Sequence, residues 1–352
     1  EEICLNCKIL RLILPQLQNC SSGRAALRVS AQRRHIGLSG SFRVAFGTIS
    51  GMDVVAVEVE RDGVRGRGEC CPMAIYDQTP EGTLAEIAAI APRIESGEID
   101  RPGLQVVMPA GAARNALDCA FWDYEAKLSG RPIWELVGLV RPERLAADVS
   151  IGIWTPEETA RIAETHRTAG MIKLKLGGEQ DMACARAVRA TLPDTPLFVD
   201  VNGGWTLEQL NATAPALAEL GVFMIEQPLG QGEDSKLDGY NRAVPLCADE
   251  SCHDRSDLDR LMGRYSHVNI KLDKTGGLTE ALALAREAQD RGLKLMVGCM
   301  MGSGLAMAPA YVVASLCEVV DLDVPLIVKD PADAAVRHDG RYLHSFEPGL
   351  WG

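Results

Sequence analysis

The chain has 352 residues, and 47% of them are hydrophobic, which is enough to bury one large core and a smaller second one. Its formal charge of -12 argues against nucleic acid and anionic membrane surfaces as partners, because both require clustered Lys and Arg. The 11 cysteines are scattered and often lie inside apolar runs, so we expect reduced thiols and a cytoplasmic protein rather than a disulfide framework.

Residues 1–30 show no continuous periodic pattern and are expected to be an extension of unclear role. The chain starts with two acidic residues, the wrong charge for a signal peptide, and Pro15 interrupts an apolar run too short to cross a membrane. Cys4 and Cys7 have the spacing of half a zinc or redox site, but no matching second pair follows. We therefore expect neither a membrane partner nor a zinc site here.

Residues 31–143 are predicted to form a small α+β domain. Apolar alternation at residues 54–59 and 64–69, on either side of a short turn, predicts a β-hairpin. Helical periodicity follows at residues 83–94 and 112–128.

Residues 144–325 alternate between short apolar runs and helical stretches, which predicts a parallel sheet. Eight such units favour closure, so the predicted fold class is α/β, a modified TIM-type (β/α) barrel with an N-terminal α+β capping domain. Gly302-Ser303-Gly304 is expected to be a loop. The predicted strands are residues 147–152, 171–176, 197–201, 222–226, 246–249, 267–272, 294–298 and 319–323.

Three carboxylates end three successive predicted strands. Asp200, Glu226 and Asp249 follow one another at intervals of 26 and 23 residues, about one strand plus one helix. All-oxygen ligation favours Mg²⁺, with Mn²⁺ as an alternative, over zinc. Each carboxylate alone is also explained by pairing with a neighbouring lysine, but three in register favour a metal site.

Two lysine motifs flank these carboxylates. Lys173 and Lys175 are two residues apart on one strand, so both side chains point into the same barrel mouth. To act as a base at neutral pH, Lys175 needs a pKa lowered from about 10.4 to roughly 7 to 8. Lys271 is expected to face Lys175 across the metal site, with Asp273 on the same face as Lys271, although a plain salt bridge also explains that pair. Two opposed bases suit inversion of a stereocentre, whereas one base suffices for an elimination.

Further polar residues end the remaining strands. Asn202, Glu250 and Asp273 are expected to support the metal ligands and lysines, and Cys299 and Met300 to line a substrate pocket after Gly298. Two carboxylates facing the same way, at 321 and 323, suit a cation, although helix capping or a solvated strand end are simpler explanations.

Together these motifs resemble the muconate-lactonising subgroup of the enolase superfamily, and within it most resemble the dipeptide epimerases, including the L-Ala-D/L-Glu epimerases. The similarity extends over about residues 35–325. The motifs that carry it are Lys-x-Lys at 173–175, Asp-x-Asn at 200–202, Ile-Glu-Gln-Pro at 225–228, Ala-Asp-Glu-Ser at 248–251, Asn-Ile-Lys-Leu-Asp-Lys-Thr-Gly-Gly at 269–277, Asp-Leu-Asp at 321–323 and Pro-Ala-Gly-Ala-Ala-Arg-Asn-Ala-Leu-Asp at 109–118.

The resemblance implies a role for each motif. Asp200, Glu226 and Asp249 would ligate Mg²⁺, which is known in this superfamily to stabilise the enediolate formed when a base removes the α-proton. Lys175 and Lys271 would be the two acid/base catalysts, and Lys173 would help to hold the substrate carboxylate. Asp321 and Asp323 would bind the free α-ammonium group of a dipeptide. By the same analogy, residues 326–352 would pack back on the capping domain.

Two departures from the family concern specificity. Glutamate-specific relatives often carry Arg at the positions that appear here as Phe46 and Ile75, and Phe cannot replace an Arg fork that holds a side-chain carboxylate. Arg43 lies close enough in sequence to compensate. The resemblance thus implies an Ala-Glu-type substrate or, given Phe46 and Ile75, a more apolar dipeptide.

The predicted function is therefore a Mg²⁺-dependent isomerase that inverts the α-carbon of the C-terminal residue of a dipeptide, in a homo-oligomeric, cytoplasmic protein. The alternative is a cycloisomerase or an o-succinylbenzoate synthase-type dehydratase on the same scaffold, against which the Asp321-x-Asp323 motif argues because those substrates carry no ammonium group. A catalytically silent binding protein is a further alternative, disfavoured by the intact set of metal ligands and bases.

Overall fold

The computed structural model of the protein describes residues 25–44, 47–330 and 335–352, with the side chains of 41–44 and 47–49 left undescribed. Phe46, the side chain of Arg43 and most of the N-terminal extension therefore lie outside the described residues. Within them, no helix combines the length and the apolar character needed to cross a membrane.

The N-terminal part, called the cap below, is built on a three-stranded antiparallel sheet in the order β1 (Arg28–Val44), β2 (Gly47–Arg61) and β3 (Val64–Cys70). The predicted hairpin is confirmed as β2–β3. Its turn residues Asp62 and Gly63 have φ values of 52° and 80°, as a tight hairpin turn requires. Strand β1 was not predicted, because its many polar side chains hide the alternation expected of a half-buried strand.

Four helices follow the cap sheet: α1 (Pro80–Glu95), α2 (Arg101–Val107), α3 (Ala112–Ser129) and α4 (Ile133–Val137). Helices α1 and α3 pack on the sheet, and α2 and α4 pack on α3. Helix α3 packs so closely on β3 that a Cβ atom at Gly66 or Gly68 would lie 2.1 Å from a helix carbonyl oxygen. Two glycines in the strand therefore allow the helix backbone to approach it. Helix α3 is buried along almost its whole length, between the cap sheet and the barrel.

The barrel contains eight parallel strands that follow one another in chain order. They are β5 (Asp148–Ile151), β6 (Met171–Lys175), β7 (Leu197–Asp200), β8 (Val222–Glu226), β9 (Leu246–Ala248), β10 (His267–Ile270), β11 (Lys294–Val297) and β12 (Val319–Val320). Among the described residues, β5 and β12 are not joined by a backbone ladder; instead, the Ser150 amide donates to Asp323 Oδ2 at 2.9 Å. The predicted fold class, a modified barrel with an N-terminal cap, is confirmed.

The α-helices that surround the barrel are α5 (Pro156–Thr165), α6 (Asp181–Thr191), α7 (Leu207–Glu219), α8 (Leu258–Leu261), α9 (Leu272–Thr275), α10 (Leu278–Asp290) and α11 (Gly304–Ala314). Their starts follow from local chemistry. Thr155 accepts a hydrogen bond from the Glu158 amide at the start of α5, and Thr206 forms a capping box with Gln209 at the start of α7.

Three predictions of local structure were wrong at strand ends. The strand predicted at 267–272 ends at Ile270, and Leu272 begins α9. The strand predicted at 319–323 ends at Val320. Gly304 is not part of a loop but the first residue of α11, which is capped by the Ser303 side chain. At both strand ends the chain leaves the sheet as soon as its polar residues, Lys271 and Asp321, begin.

The C-terminal residues contact the cap. Trp351 is fully buried, and its indole nitrogen donates to the carbonyl oxygens of Arg67 and Cys119 at 3.0 and 3.1 Å. Gly352 donates to Asp123 at 2.7 Å. Near it, β13 (Tyr342–His344) pairs with β4 (Arg144–Ala146), so the end of the chain is tied to both the cap and the base of the barrel.

Candidate active site

One pocket lies at the carboxyl ends of the barrel strands, below the cap. Most of the residues predicted to be functional line it. They are Lys173, Lys175, Asn202, Asp249, Glu250, Lys271, Cys299, Met300, Asp321, Asp323 and Ile75. Asp200 and Glu226 are fully buried beside the pocket and contact its lysines.

Lys173 is the centre of a buried charge network. Its ammonium group lies 2.6 Å from Asp321 Oδ2, 2.9 Å from Glu226 Oε2 and 3.0 Å from Asp200 Oδ2. Burial alone would favour the neutral amine, but the surrounding carboxylates outweigh it and hold the pKa of Lys173 well above its usual range. Lys173 is therefore a fixed positive charge within an acidic cluster.

Two of the predicted metal ligands are fully engaged by lysines. Asp200 Oδ2 accepts from Lys175 at 2.6 Å, and Asp249 accepts from Lys271 and from Lys274, one on each oxygen, both at 2.6 Å. Burial opposes ionisation of both carboxyl groups, but the adjacent ammonium groups outweigh it, and the pKa values of both aspartates fall below their usual range. Both aspartates are therefore ionised.

Glu226 is less well compensated. Its Oε1 accepts from Asn269 at 2.6 Å, whereas Oε2 makes no hydrogen bond with any described residue, although the Lys173 ammonium lies 2.9 Å away outside hydrogen-bonding geometry. Burial, and then the charges of Asp200 and Asp249, raise the pKa of Glu226 to about 8. An additional cation nearby would therefore stabilise the ionised form of Glu226.

The cluster as a whole has an excess of acid. Seven carboxyl groups oppose four ammonium groups, which leaves a net charge of minus three if every group is ionised. The carboxyl groups are Asp148, Asp200, Glu226, Asp249, Glu250, Asp321 and Asp323, and the ammonium groups are those of Lys173, Lys175, Lys271 and Lys274. Burial and mutual repulsion raise the pKa values of Asp148, Glu226, Glu250 and Asp323, so the excess is relieved only by binding protons or cations.

The acidic cluster fits a divalent cation by its chemistry. Its donors are all oxygens, and Glu226 Oε2 is a buried oxygen without a hydrogen bond. The carboxylates are turned to the lysines, so no three carboxylate, imidazole or thiolate groups of the described residues converge on one point as a ready-made metal centre. A metal ion would have to compete with the Lys173, Lys175 and Lys271 ammonium groups for these oxygens.

The two predicted bases are held by different carboxylates. Lys175 donates to Asp200 and, at 3.0 Å, to Asn202 Oδ1, while Lys271 donates to Asp249. Burial favours neutral Lys271, but the charges of Asp249 and Glu226 outweigh it and raise its pKa. Both ammonium groups therefore face one pocket from separate strand ends, β6 and β10.

Two backbone positions next to the site are unusual for residues other than glycine. Asn202 has φ 47° and Gln227 has φ 35°. The Asn202 side chain donates to Glu250 at 3.0 Å, and Gln227 Oε1 accepts from the amides of Asp249 and Ser251 at 2.9 and 3.1 Å. The strained turns thus hold the loop that carries Asp249 and Glu250.

The predicted position of Asp273 was wrong. Because β10 ends at Ile270, Asp273 lies in α9 and does not share a strand face with Lys271. Its Oδ1 accepts from the Cys71 amide at 3.0 Å and from Asn115 Nδ2 at 2.9 Å, and burial raises its pKa to about 7. Asp273 therefore joins the barrel to the cap instead of contacting Lys271.

Sequence reasoning missed several residues of the site. Lys274 was visible within the 269–277 motif but was not assigned to Asp249. The other missed residues line the pocket from strands and loops whose approach depends on the tertiary fold; they are Met52, Met73, Tyr76, Ser150, Met301, Val324 and Ile327. The eight cysteines among the described residues are all free, in agreement with the expectation of reduced thiols.

Two family models match most of the chain. Residues 28–138 match the mandelate racemase/muconate lactonizing enzyme N-terminal domain, and residues 154–350 match the enolase C-terminal domain-like family. Among curated relatives, the L-Ala-D/L-Glu epimerase of Escherichia coli K12 is 42% identical over 305 residues, which cover 86% of this chain and 95% of the relative. The N-acetyl-D-glutamate racemase of a Pseudoalteromonas species is 41% identical over 289 residues, covering 82% and 91%.

Solved structures of similar fold belong to the same family as these relatives. An enolase family member from Agrobacterium tumefaciens with homology to dipeptide epimerases, bound to sodium and L-Ala-L-Glu, has a TM-score of 0.89 and 39% identity, covering 93% of this chain and 100% of that one. A dipeptide epimerase from Enterococcus faecalis, complexed with Mg and L-Leu-L-Tyr, has a TM-score of 0.82 and 27% identity, covering 93% and 98%.

Proposed function

This chain belongs to the enolase superfamily and is an isomerase of the epimerase and racemase type; we propose that it is a Mg²⁺-dependent dipeptide epimerase that inverts the α-carbon of the C-terminal residue. The observation that carries the proposal is the acidic excess around Lys173. A divalent metal ion would offset two of the three excess negative charges, and the substrate ammonium group would give Asp321 and Asp323 a positive partner.

Asp200, Glu226 and Asp249 would hold the metal ion, which supplies electrostatic stabilisation to a substrate carboxylate whose α-carbon loses its proton. Lys175 and Lys271 would face the α-carbon from two sides. One would accept the α-proton as a free amine, and the other, as an ammonium ion, would return a proton to the opposite face. Asp200 and Asp249, which hold these lysines now, would orient them for the transfer.

Asp321 and Asp323 would bind the ammonium group of the dipeptide. Both carboxylates line the pocket, and Asp323 Oδ2 is oriented by the Ser150 amide. A second candidate, racemisation of an N-acyl amino acid, is favoured by the name of the Pseudoalteromonas relative. An N-acyl substrate brings no positive charge to the acidic cluster, so we favour the dipeptide.

We further propose that the second residue of the dipeptide is neutral or apolar. The described part of the cap lines the pocket with Met52, Met73, Ile75 and Tyr76, none of which carries a charge. Ile75 is 47% exposed, and the family resemblance implies that glutamate-specific relatives carry at its position an Arg that pairs with a glutamate side chain. The barrel adds Met300, Met301 and Ile327 to the lining.

The test is a mass-shift screen of L-Ala-X dipeptides in D₂O with Mg²⁺, scoring one deuterium at the α-carbon of X. We expect faster exchange with X as Leu or Phe than with X as Glu. Ile75→Arg should shift that preference toward Glu. Val140→Arg is the matched control, because Val140 is 88% exposed and does not line the pocket.

The outcomes separate the alternatives. Faster exchange with Ala-Glu than with the apolar dipeptides would keep the chemistry and overturn the specificity. Exchange with N-acetyl amino acids but not with dipeptides would favour the second candidate. Exchange with neither would return the cycloisomerase and o-succinylbenzoate synthase-type dehydratase reactions to consideration.

We also propose that the protein is a homo-oligomer in a reducing, cytoplasmic compartment. The eight free cysteines among the described residues support the reducing compartment. Light scattering of the purified protein tests the assembly; a monomeric mass at micromolar concentration would contradict it.

A further inference from the structure

Tyr76 is the one hydroxyl-bearing residue among the described cap residues that line the pocket; its three companions are Met52, Met73 and Ile75. It ends a short 3-10 turn, Ala74–Tyr76, in the loop between β3 and α1. The described part of the cap therefore presents a single hydroxyl group to a ligand in the pocket.

The structure holds this loop in place from both sides. At its start, the Cys71 amide donates to Asp273 of the barrel at 3.0 Å. At its end, the Tyr76 amide donates to the Met73 carbonyl oxygen at 2.9 Å, and Asp77 closes the turn with a φ of 56°. The position of Tyr76 is therefore fixed relative to the barrel, not only relative to the cap.

The Tyr76 ring also packs on the loop that carries Asp249 and Glu250. Its edge meets the His253 ring with centroids 5.5 Å apart and planes at 84°. This contact places the phenol on the Lys271 side of the pocket, where Asp249, Lys271 and Glu250 are its main electrostatic neighbours. Burial first, and then the negative charge of Asp249, raise the pKa of Tyr76 above its usual value, so the phenol remains protonated.

The Tyr76 hydroxyl makes no hydrogen bond with any described residue, although Tyr76 lines a pocket rich in polar side chains. The Lys271 ammonium group, one of its electrostatic neighbours, donates a hydrogen bond to Asp249 Oδ2. A dipeptide brings carbonyl and carboxylate oxygens that accept hydrogen bonds, and the protonated Tyr76 phenol is a donor that no described residue engages.

We propose that Tyr76 is a substrate-positioning residue, whose hydroxyl donates a hydrogen bond to a main-chain oxygen of the bound dipeptide on the Lys271 side of the α-carbon. The proposal rests on the proposed function. It adds a specific donor from the cap to a site whose other polar groups, among the described residues that line it, come from the barrel.

The test compares Tyr76→Phe with Tyr342→Phe, a matched control on β13, remote from the pocket. Phe keeps the ring contact with His253 and removes only the hydroxyl, so a purely structural role predicts wild-type behaviour. Loss of a hydrogen bond to a charged oxygen predicts a 10- to 100-fold fall in kcat/KM, about the effect of such bonds elsewhere. Mg²⁺ affinity and Tm should stay at wild-type values.

The result that overturns the proposal is a Tyr76→Phe enzyme with wild-type kcat/KM on a dipeptide that the wild-type enzyme epimerises. If the wild-type enzyme exchanges no dipeptide at all, the proposed function fails first, and this inference fails with it.

Discussion

Gly298 lies where any side chain would collide with Lys271. A Cβ atom built there is 2.8 Å from Lys271 Cε and 2.8 Å from both side-chain heteroatoms of Asn269, and ordinary contact begins at 3.4 Å. Gly298→Ala must therefore displace these side chains by about 0.6 Å, the difference between the two distances. Lys271 holds Asp249 and Asn269 holds Glu226, both at 2.6 Å, so two hydrogen bonds of the site are disturbed at once.

The expected cost is large for catalysis and moderate for stability. Misplacing a reacting group by a fraction of an ångström to 1 Å costs up to about 100-fold in rate, and overpacking a tight site costs about 1 to 3 kcal/mol of unfolding free energy. We expect Gly298→Ala to lower α-proton exchange at least tenfold for the epimer whose proton Lys271 removes. The exchange rate should fall less for the epimer whose α-proton Lys175 removes, because Lys175 does not contact Gly298.

The assay is α-proton exchange in D₂O, measured separately for each epimer of one dipeptide by mass spectrometry. Gly40→Ala is the matched control, since a Cβ atom there meets nothing within 4 Å. Wild-type rates for Gly298→Ala, or equal losses for the two epimers in a protein of unchanged Mg²⁺ affinity, would refute the assignment of Lys271 to one face.

Three further predictions concern other groups. Lys271→Ala should abolish inversion yet keep exchange of one epimer, measured by NMR in D₂O, because Lys175 can still remove and return a proton; equal loss for both epimers would give Lys271 a binding role. Asp321→Asn should raise KM for dipeptides about 10- to 100-fold while calorimetry shows little change in Mg²⁺ affinity; equal losses in both would make Asp321 structural. Burial lowers the pKa of His338 to about 4. In the unfolded chain the histidine pKa is near 6.5, so the unfolded state binds the proton at a higher pH than the folded state does. The free energy of unfolding should therefore fall as the pH drops from 6.5 to 4. Urea titrations between pH 6.5 and 5 should show a loss of stability that is smaller in His338→Asn than in the wild type by up to about 2 kcal/mol, with the remainder coming from groups such as His267, whose pKa burial also lowers to about 4; equal losses in the two proteins would contradict this.

Much of the barrel was predictable because its candidate functional residues lie at the carboxyl ends of the strands. Each of Lys173, Asp200, Glu226 and Asp249 closes a short apolar run, and the carboxyl ends of parallel strands meet at one end of a barrel. Local periodicity therefore sufficed to bring these residues together.

The errors arose where the chain turns out of the sheet. Two-residue alternation holds only while the strand continues, so it misplaced Asp273, which α9 directs toward the cap. It also required a strand through 321–323, whereas β12 ends at Val320, and the two aspartates reach the pocket from a loop.

The cap side of the pocket was not predictable in the same way. Tyr76 and Met52 come from loops and strands more than 90 residues before the first barrel lysine. Their approach depends on how α3 and the β3–α1 loop pack on the barrel, through contacts such as Asp273 with Cys71 and Asn115. No local pattern in the sequence records that packing.

The most direct test of two-base epimerisation starts from one pure L,L-dipeptide with Mg²⁺ in D₂O and follows configuration and isotope together during the first turnovers. If Lys175 and Lys271 act on opposite faces, the newly formed epimer carries deuterium at the α-carbon of its C-terminal residue from the start. A new epimer that retains the original hydrogen would show that one base removes and returns the same proton, and would contradict the account.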